Sequence, residues 1–147
     1  MNETENICNN ITKKNSEESN NSVPSSDEID TLRFYLLDKL DHYQKLLDKV
    51  EDDYYLYNLY TQDEFKKICT QYNDICKNIE KHVKDMVLWS LRFFGVEDYL
   101  KEKDISEISE DEKKEIESMY GEYKTKLIKA YTEARKYAAT LDEKIKI

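Results

Sequence analysis

Apolar residues recur at steps of three and four along three long stretches of the chain, the spacing that lines them up on one side of an α-helix rather than a strand. In the first stretch they are Ile29, Leu32, Leu36, Leu40, Tyr43, Leu47, Val50 and Tyr54, which predicts a helix over about residues 27–59. In the second, Phe65, Ile68, Tyr72, Cys76, Ile79, Val83, Met86, Ser90 and Phe94 predict a helix over about 62–94. The third is the most regular: Ile116, Tyr120, Tyr123, Leu127, Ala130, Ala134, Tyr137 and Leu141 predict a helix over about 110–145. Each predicted start carries a Ser or Thr with a Glu three residues on, at Ser25 and Glu28, Thr61 and Glu64, and Ser109 and Glu112. In such a capping box each side chain can satisfy one of the other's free backbone N–H groups.

The boundaries follow from local chemistry. Pro24 biases Val23 away from helix, so the first helix begins after it. Gly95 stands where a left-handed cap would close the second helix, and Val96, Tyr99 and Leu100 then predict a short extra helix over about 96–103. Short connections make consecutive helices antiparallel. The expected fold is all-α: an elongated up-down-up three-helix bundle over residues 27–147, with the short extra helix between its second and third members. A longer two-helix hairpin that dimerises is the second arrangement, because the third stretch keeps near-heptad spacing. Residues 1–26 are mainly Asn, Ser, Glu, Thr and Lys, too polar to offset the entropy of ordering, and read as a disordered tail.

Composition narrows the class of function. A chain of 147 residues fits one domain, and two glycines with one proline are too few for sheets joined by tight turns. A net charge of -9 argues against nucleic acid, whose phosphates call for clustered Lys and Arg, and it favours a basic protein surface as partner. No run of about 18 apolar residues exists to span a bilayer. Met1 to Asn10 lacks the basic and apolar regions of a secretory signal, which points to a cytosolic protein or a processed form, with export to a host cell left open. The patterns at Asn2, Asn10 and Asn20 that read as glycosylation acceptors are expected by chance in so Asn-rich a segment.

Signatures of chemistry are not found. Cys69 and Cys76, seven apart on one helix, are too distant to bond to each other, since a disulfide needs Cα atoms within about 7 Å. Buried thiols are the first reading, with a disulfide to Cys8 and a metal site behind it. His42 and His82 lack the spacing of a zinc site, and no pair of Glu-x-x-His motifs exists for a di-iron centre. The acids around Glu51 and from Glu107 to Glu117 lack the glycine turn of a calcium loop. Neither a nucleophile elbow nor a Gly-rich phosphate loop is present, so the expectation is a non-enzyme without cofactor or metal.

Two aromatic features remain as candidate binding surfaces. Tyr54, Tyr55, Tyr57 and Tyr60 gather at the end of the first helix, either closing the bundle or facing a partner. In Met86-Val87-Leu88-Trp89-Ser90-Leu91-Arg92-Phe93-Phe94 the core side is centred between Met86 and Val87, so Leu88 points away from it and Trp89 and Leu91 lie on opposite flanks. That apolar excess is either covered by residues 96–100 folding back or left as an interaction patch around the single tryptophan.

The Asn-, Lys- and Tyr-rich usage, the tail NNITKKNSEESNNS and the stretch MVLWSLRFF resemble small exported or surface helical proteins of malaria parasites, the PHIST group being the nearest. The resemblance implies a helical, non-enzymatic adaptor acting on another protein. The several tryptophans of that group are missing, and no functional residue carries over. The leading expectation is a protein-interaction module using Leu88, Trp89, Leu91, Tyr54, Tyr55, Tyr57 and Tyr60. The alternatives are a self-associating, coiled-coil-like structural protein, with a homo-oligomer formed through the third helix, and a binder of lipid or a small hydrophobic ligand.

Overall fold

The computed structural model describes residues 22–103 and 105–145. The expected tail up to position 21, Cys8 and the three tail asparagines lie outside that range. Among the described residues the chain forms three α-helices and no strand: α1 (Ser26–Tyr55), α2 (Gln62–Glu102) and α3 (Glu110–Ile145), with a 3-10 turn at Ile105–Glu107 before α3. The all-α three-helix bundle is therefore the fold.

All three capping residues hold their helix starts, in different ways. At α1 the box is reciprocal: the Glu28 amide donates to Ser25 Oγ at 3.0 Å and the Ser25 amide donates to Glu28 Oε1 at 3.2 Å. At α2 the Glu64 amide donates to Thr61 Oγ1, while the Thr61 hydroxyl donates to the Glu64 carboxylate, both at 3.1 Å. At α3 the Glu112 amide donates to Ser109 Oγ at 3.2 Å, but the Glu112 carboxylate accepts a 2.8 Å bond from the Tyr99 hydroxyl instead. That bond ties the last turn of α2 to the first turn of α3.

Two boundaries differ from the sequence expectation. α1 stops at Tyr55 rather than near 59, because Asn58 takes a left-handed conformation (φ 56°) and the Leu59 amide turns back to the Asp53 carbonyl at 3.0 Å. Gly95 does not cap α2, and residues 96–103 are no separate helix: α2 runs through Gly95 to Glu102. A helical glycine costs about 1 kcal/mol relative to Ala, and burying Leu100 on the same helix offsets that.

Ring contacts give the helix directions. As the index rises on one helix it falls on its neighbour: Tyr43 meets Tyr72 and Tyr54 meets Phe65, so α1 and α2 are antiparallel. Trp89 meets Tyr123, Phe93 meets Tyr120 and Tyr99 bonds Glu112, so α2 and α3 are antiparallel as well.

The chain divides into two compact units, each containing parts of all three helices. One joins the segment ending at Ile29 with Asp85–Glu133, and its core holds Ile29, Met86, Phe93, Leu100, Ile116, Tyr120, Leu127 and Ala130. The other joins Asp30–Lys84 with the segment from Ala134, and buries Leu36, Tyr43, Val50, Ile75, Cys76, Ile79, Ala134, Ala138 and Leu141. Along each helix the buried positions step by seven: Ile29, Leu36, Tyr43, Val50 on α1; Ile79, Met86, Phe93, Leu100 on α2; Tyr120, Leu127, Ala134, Leu141 on α3. A seven-residue step is the 3.5-residue period of helices packed knobs-into-holes. Hence Phe93, not Phe94, is the core phenylalanine of α2; Phe94 is half-buried.

Polar groups also lie in or beside the core of the described residues. The Tyr43 hydroxyl is buried and has no hydrogen-bond partner among the described residues. Burial, with the nearby Tyr137, Tyr72 and Cys76, raises its pKa above the ordinary phenol value. Lys124 is buried on α3 beside Tyr120 and Leu127, its aliphatic stem suiting an apolar setting. Glu97 falls on the α2 seam four residues after Phe93, where desolvation raises its pKa against the modest opposing pull of Lys101.

An unsatisfied buried hydroxyl costs about 1 to 3 kcal/mol, so Tyr43→Phe is expected to raise stability by about 1 kcal/mol in urea unfolding; a loss of stability would show the hydroxyl to be satisfied. Because the folded pKa of Glu97 lies above its ordinary value of 4.5, the folded chain holds that proton more tightly and stability falls as pH rises through the interval between the two. Glu97→Gln is therefore expected to raise the melting temperature at neutral pH, with the gain fading toward about pH 4, where the carboxyl is protonated in both states. A gain that is the same at every pH would separate it from the titration of this group.

Candidate functional site

The seven tyrosine, leucine and tryptophan candidates fall into a turn and a helix face, and the fold treats them differently. At the turn between α1 and α2, Tyr54 is half-buried and its ring stacks on Phe65 with centroids 4.1 Å apart and planes at 5°. Tyr55 meets the same Phe65 edge-on at 5.5 Å. This pair of stacked rings already closes the end of the α1–α2 hairpin.

The residues just beyond are left outside. Tyr55, Leu56, Tyr57 and Leu59 are 71%, 70%, 67% and 63% exposed, the longest run of large apolar residues in water among the described residues. Tyr60 is half-buried. The backbone of this turn is held by the Leu56 amide on the Asp52 carbonyl at 2.8 Å and by the Leu59 amide on Asp53, so the side chains project from a fixed frame. Exposed acids stand on both sides, Glu51 and Asp52 before the turn and Asp63 and Glu64 after it.

On α2, Trp89 is not the exposed anchor expected of it. It is half-buried between α2 and α3, 6.0 Å from the Tyr123 ring, with the Arg92 guanidinium 4.9 Å and the Lys126 ammonium 4.5 Å from its ring centroid. Cations over an indole face are attracted by its quadrupole, and of these contacts those with Lys126 and Tyr123 join α2 to α3. Leu88 and Leu91 remain outward, 38% and 69% exposed. The cover expected from residues 96–100 does not form, because those residues continue the helix. Sequence reasoning missed Leu56 and Leu59 as partners of the tyrosines; their signal was two leucines in a short turn where polar residues are the rule.

Groups for chemistry are few. Cys69 and Cys76 are free thiols whose pKa values are raised by burial, the reverse of an activated nucleophile. Among the described residues, no group of three or more His, Cys, Asp or Glu is placed to hold a metal ion, and no helix is long and apolar enough to cross a membrane. The chain matches no protein-family model, no curated protein and no solved structure.

The contrast between packed and projecting rings is measurable. Tyr54→Ala is expected to lower stability by about 2 kcal/mol through the cavity it leaves against Phe65, while Leu56→Glu should shift it by no more than about 0.5 kcal/mol. Equal losses in thermal unfolding would place Leu56 in the packing rather than outside it.

Proposed function

We propose that the chain is a non-catalytic protein-interaction module whose contact surface is the turn formed by Tyr55, Leu56, Tyr57 and Leu59. The observation that carries the reading is that these side chains stay in water although the hairpin end is already closed by Tyr54 on Phe65. A run of exposed apolar residues is costly to solubility and marks a contact surface more often than a structural accident. Tyrosine suits such a surface, since its ring buries area on contact and its hydroxyl tolerates water beforehand. The run projects from the end of a hairpin, so a concave apolar site fits it. Glu51, Asp52, Asp63 and Glu64 around it favour Lys and Arg on the rim of that site. The compositional likeness to small exported helical proteins implies an adaptor role of the same kind.

Immobilised full-length chain, exposed to extract of the cell that makes it, is expected to retain a protein that the Leu56→Glu, Tyr57→Glu double variant does not retain, with unchanged helical circular dichroism and melting temperature. Retention should weaken as salt is raised. Capture that is indifferent to the double substitution would exclude the turn as the contact surface.

A further inference from the structure

A second outward surface lies on α2, independent of the turn, and of its residues only Tyr99 also reaches α3, through the bond of its hydroxyl to Glu112. At 100° per residue Leu91, Gly95 and Tyr99 all fall within roughly 60° of the direction of Leu88, opposite the buried track of Met86, Phe93 and Leu100. All four are exposed. Gly95 has no reason within the chain to be glycine: its φ is not positive, and a Cβ added there would meet nothing within 4 Å. What its bare backbone provides is a notch between Leu91 and Tyr99 on an apolar strip.

We infer that this strip pairs with the same strip of a second copy of the chain, the two α2 helices running antiparallel about a two-fold axis between Phe93 and Phe94. The register is self-complementary. Turned end for end, Leu88 lies against Tyr99 of the second copy, and Leu91 enters the notch at Gly95 of the second copy, each contact occurring twice as a two-fold interface requires. Lys103 follows directly on α2, its amide still bonded to the Tyr99 carbonyl at 3.1 Å and its ammonium 5.6 Å from the Tyr99 ring; continued through it, the helical turn puts Asp85 and Lys103 on one flank, both at about 60° from Leu88, and this register brings Asp85 of each copy toward Lys103 of the other. Arg92 is drawn toward α3 over the Trp89 ring, which keeps its charge from the axis. Three helical turns make a small interface, at the low end of specific contacts, so the dimer is weak and reversible.

Sedimentation equilibrium of the full chain, carried to high micromolar concentration, tests this. The wild type is expected to dimerise. Leu91→Glu and Gly95→Leu should each weaken the dimer about tenfold or more, and Gly95→Leu should raise the melting temperature of the dilute monomer because it improves helix propensity. Asp85→Lys and Lys103→Asp should each weaken the dimer singly and restore it when combined. A chain that stays monomeric, a dimer indifferent to Leu91→Glu and Gly95→Leu, or a combined charge swap no better than either single change would overturn the inference.

Discussion

The repeat of seven is the constraint on which the rest depends. A free α-helix has 3.6 residues per turn, so a strictly straight reading drifts about 20° in every heptad relative to a 3.5-residue track. On each of the three helices a line of residues removed from water holds to the seven-residue step instead. Once Ile79, Met86, Phe93 and Leu100 are fixed as the inner line of α2, the outer line is fixed too, and with it the places of Leu88, Leu91 and Gly95. The same line explains why Ser90 and Glu97 sit partly shielded. The Ser90 hydroxyl donates to the Val87 carbonyl at 2.8 Å, whereas the Glu97 carboxylate pays for its position in proton affinity.

Much of this was legible in the residues. The three Ser or Thr caps mark helix starts because a capping hydroxyl and its Glu partner are three positions apart in sequence, and α1 and α3 keep their expected inner residues. Apart from the early end of α1 at Tyr55, what the pattern misplaced lies on α2. Steps of four taken from Met86 lead through Ser90 to Phe94, whereas the heptad leads to Phe93; adjacent phenylalanines cannot be told apart without knowing which period prevails. Gly95 resembled a stop because glycine often ends helices, yet no local signal shows that burial of Leu100 five residues on will carry the helix through it. Trp89 resembled an exposed anchor because its cations sit on a distant helix, at Lys126, as well as one turn away, at Arg92.

The two outward surfaces differ in kind. At the turn the apolar side chains stand clear of the helices on a short, hydrogen-bonded frame, a shape for insertion. On α2 they lie along a helix whose backbone is bare at one point, a shape for lateral contact. Neither surface draws on the cysteines, whose thiols are held protonated by burial. The chain carries a net charge of -9, and exposed ion pairs such as that of Lys45 with Asp41 at 2.9 Å lie along its helices. Such exposed pairs contribute little to stability, whereas the net charge opposes non-specific association of copies.

The clamped indole has an optical consequence. Among 12 tyrosines the chain carries one tryptophan, and it reports on a single seam, between α2 and α3 within one of the two units. Its fluorescence emission is therefore a local gauge, sensitive to the parting of Trp89 from Tyr123 and Lys126, whereas far-ultraviolet dichroism averages over every helix. Overlaying the two signals along one denaturant series distinguishes a chain that melts as a whole from one whose units let go in turn, without a label or a substitution.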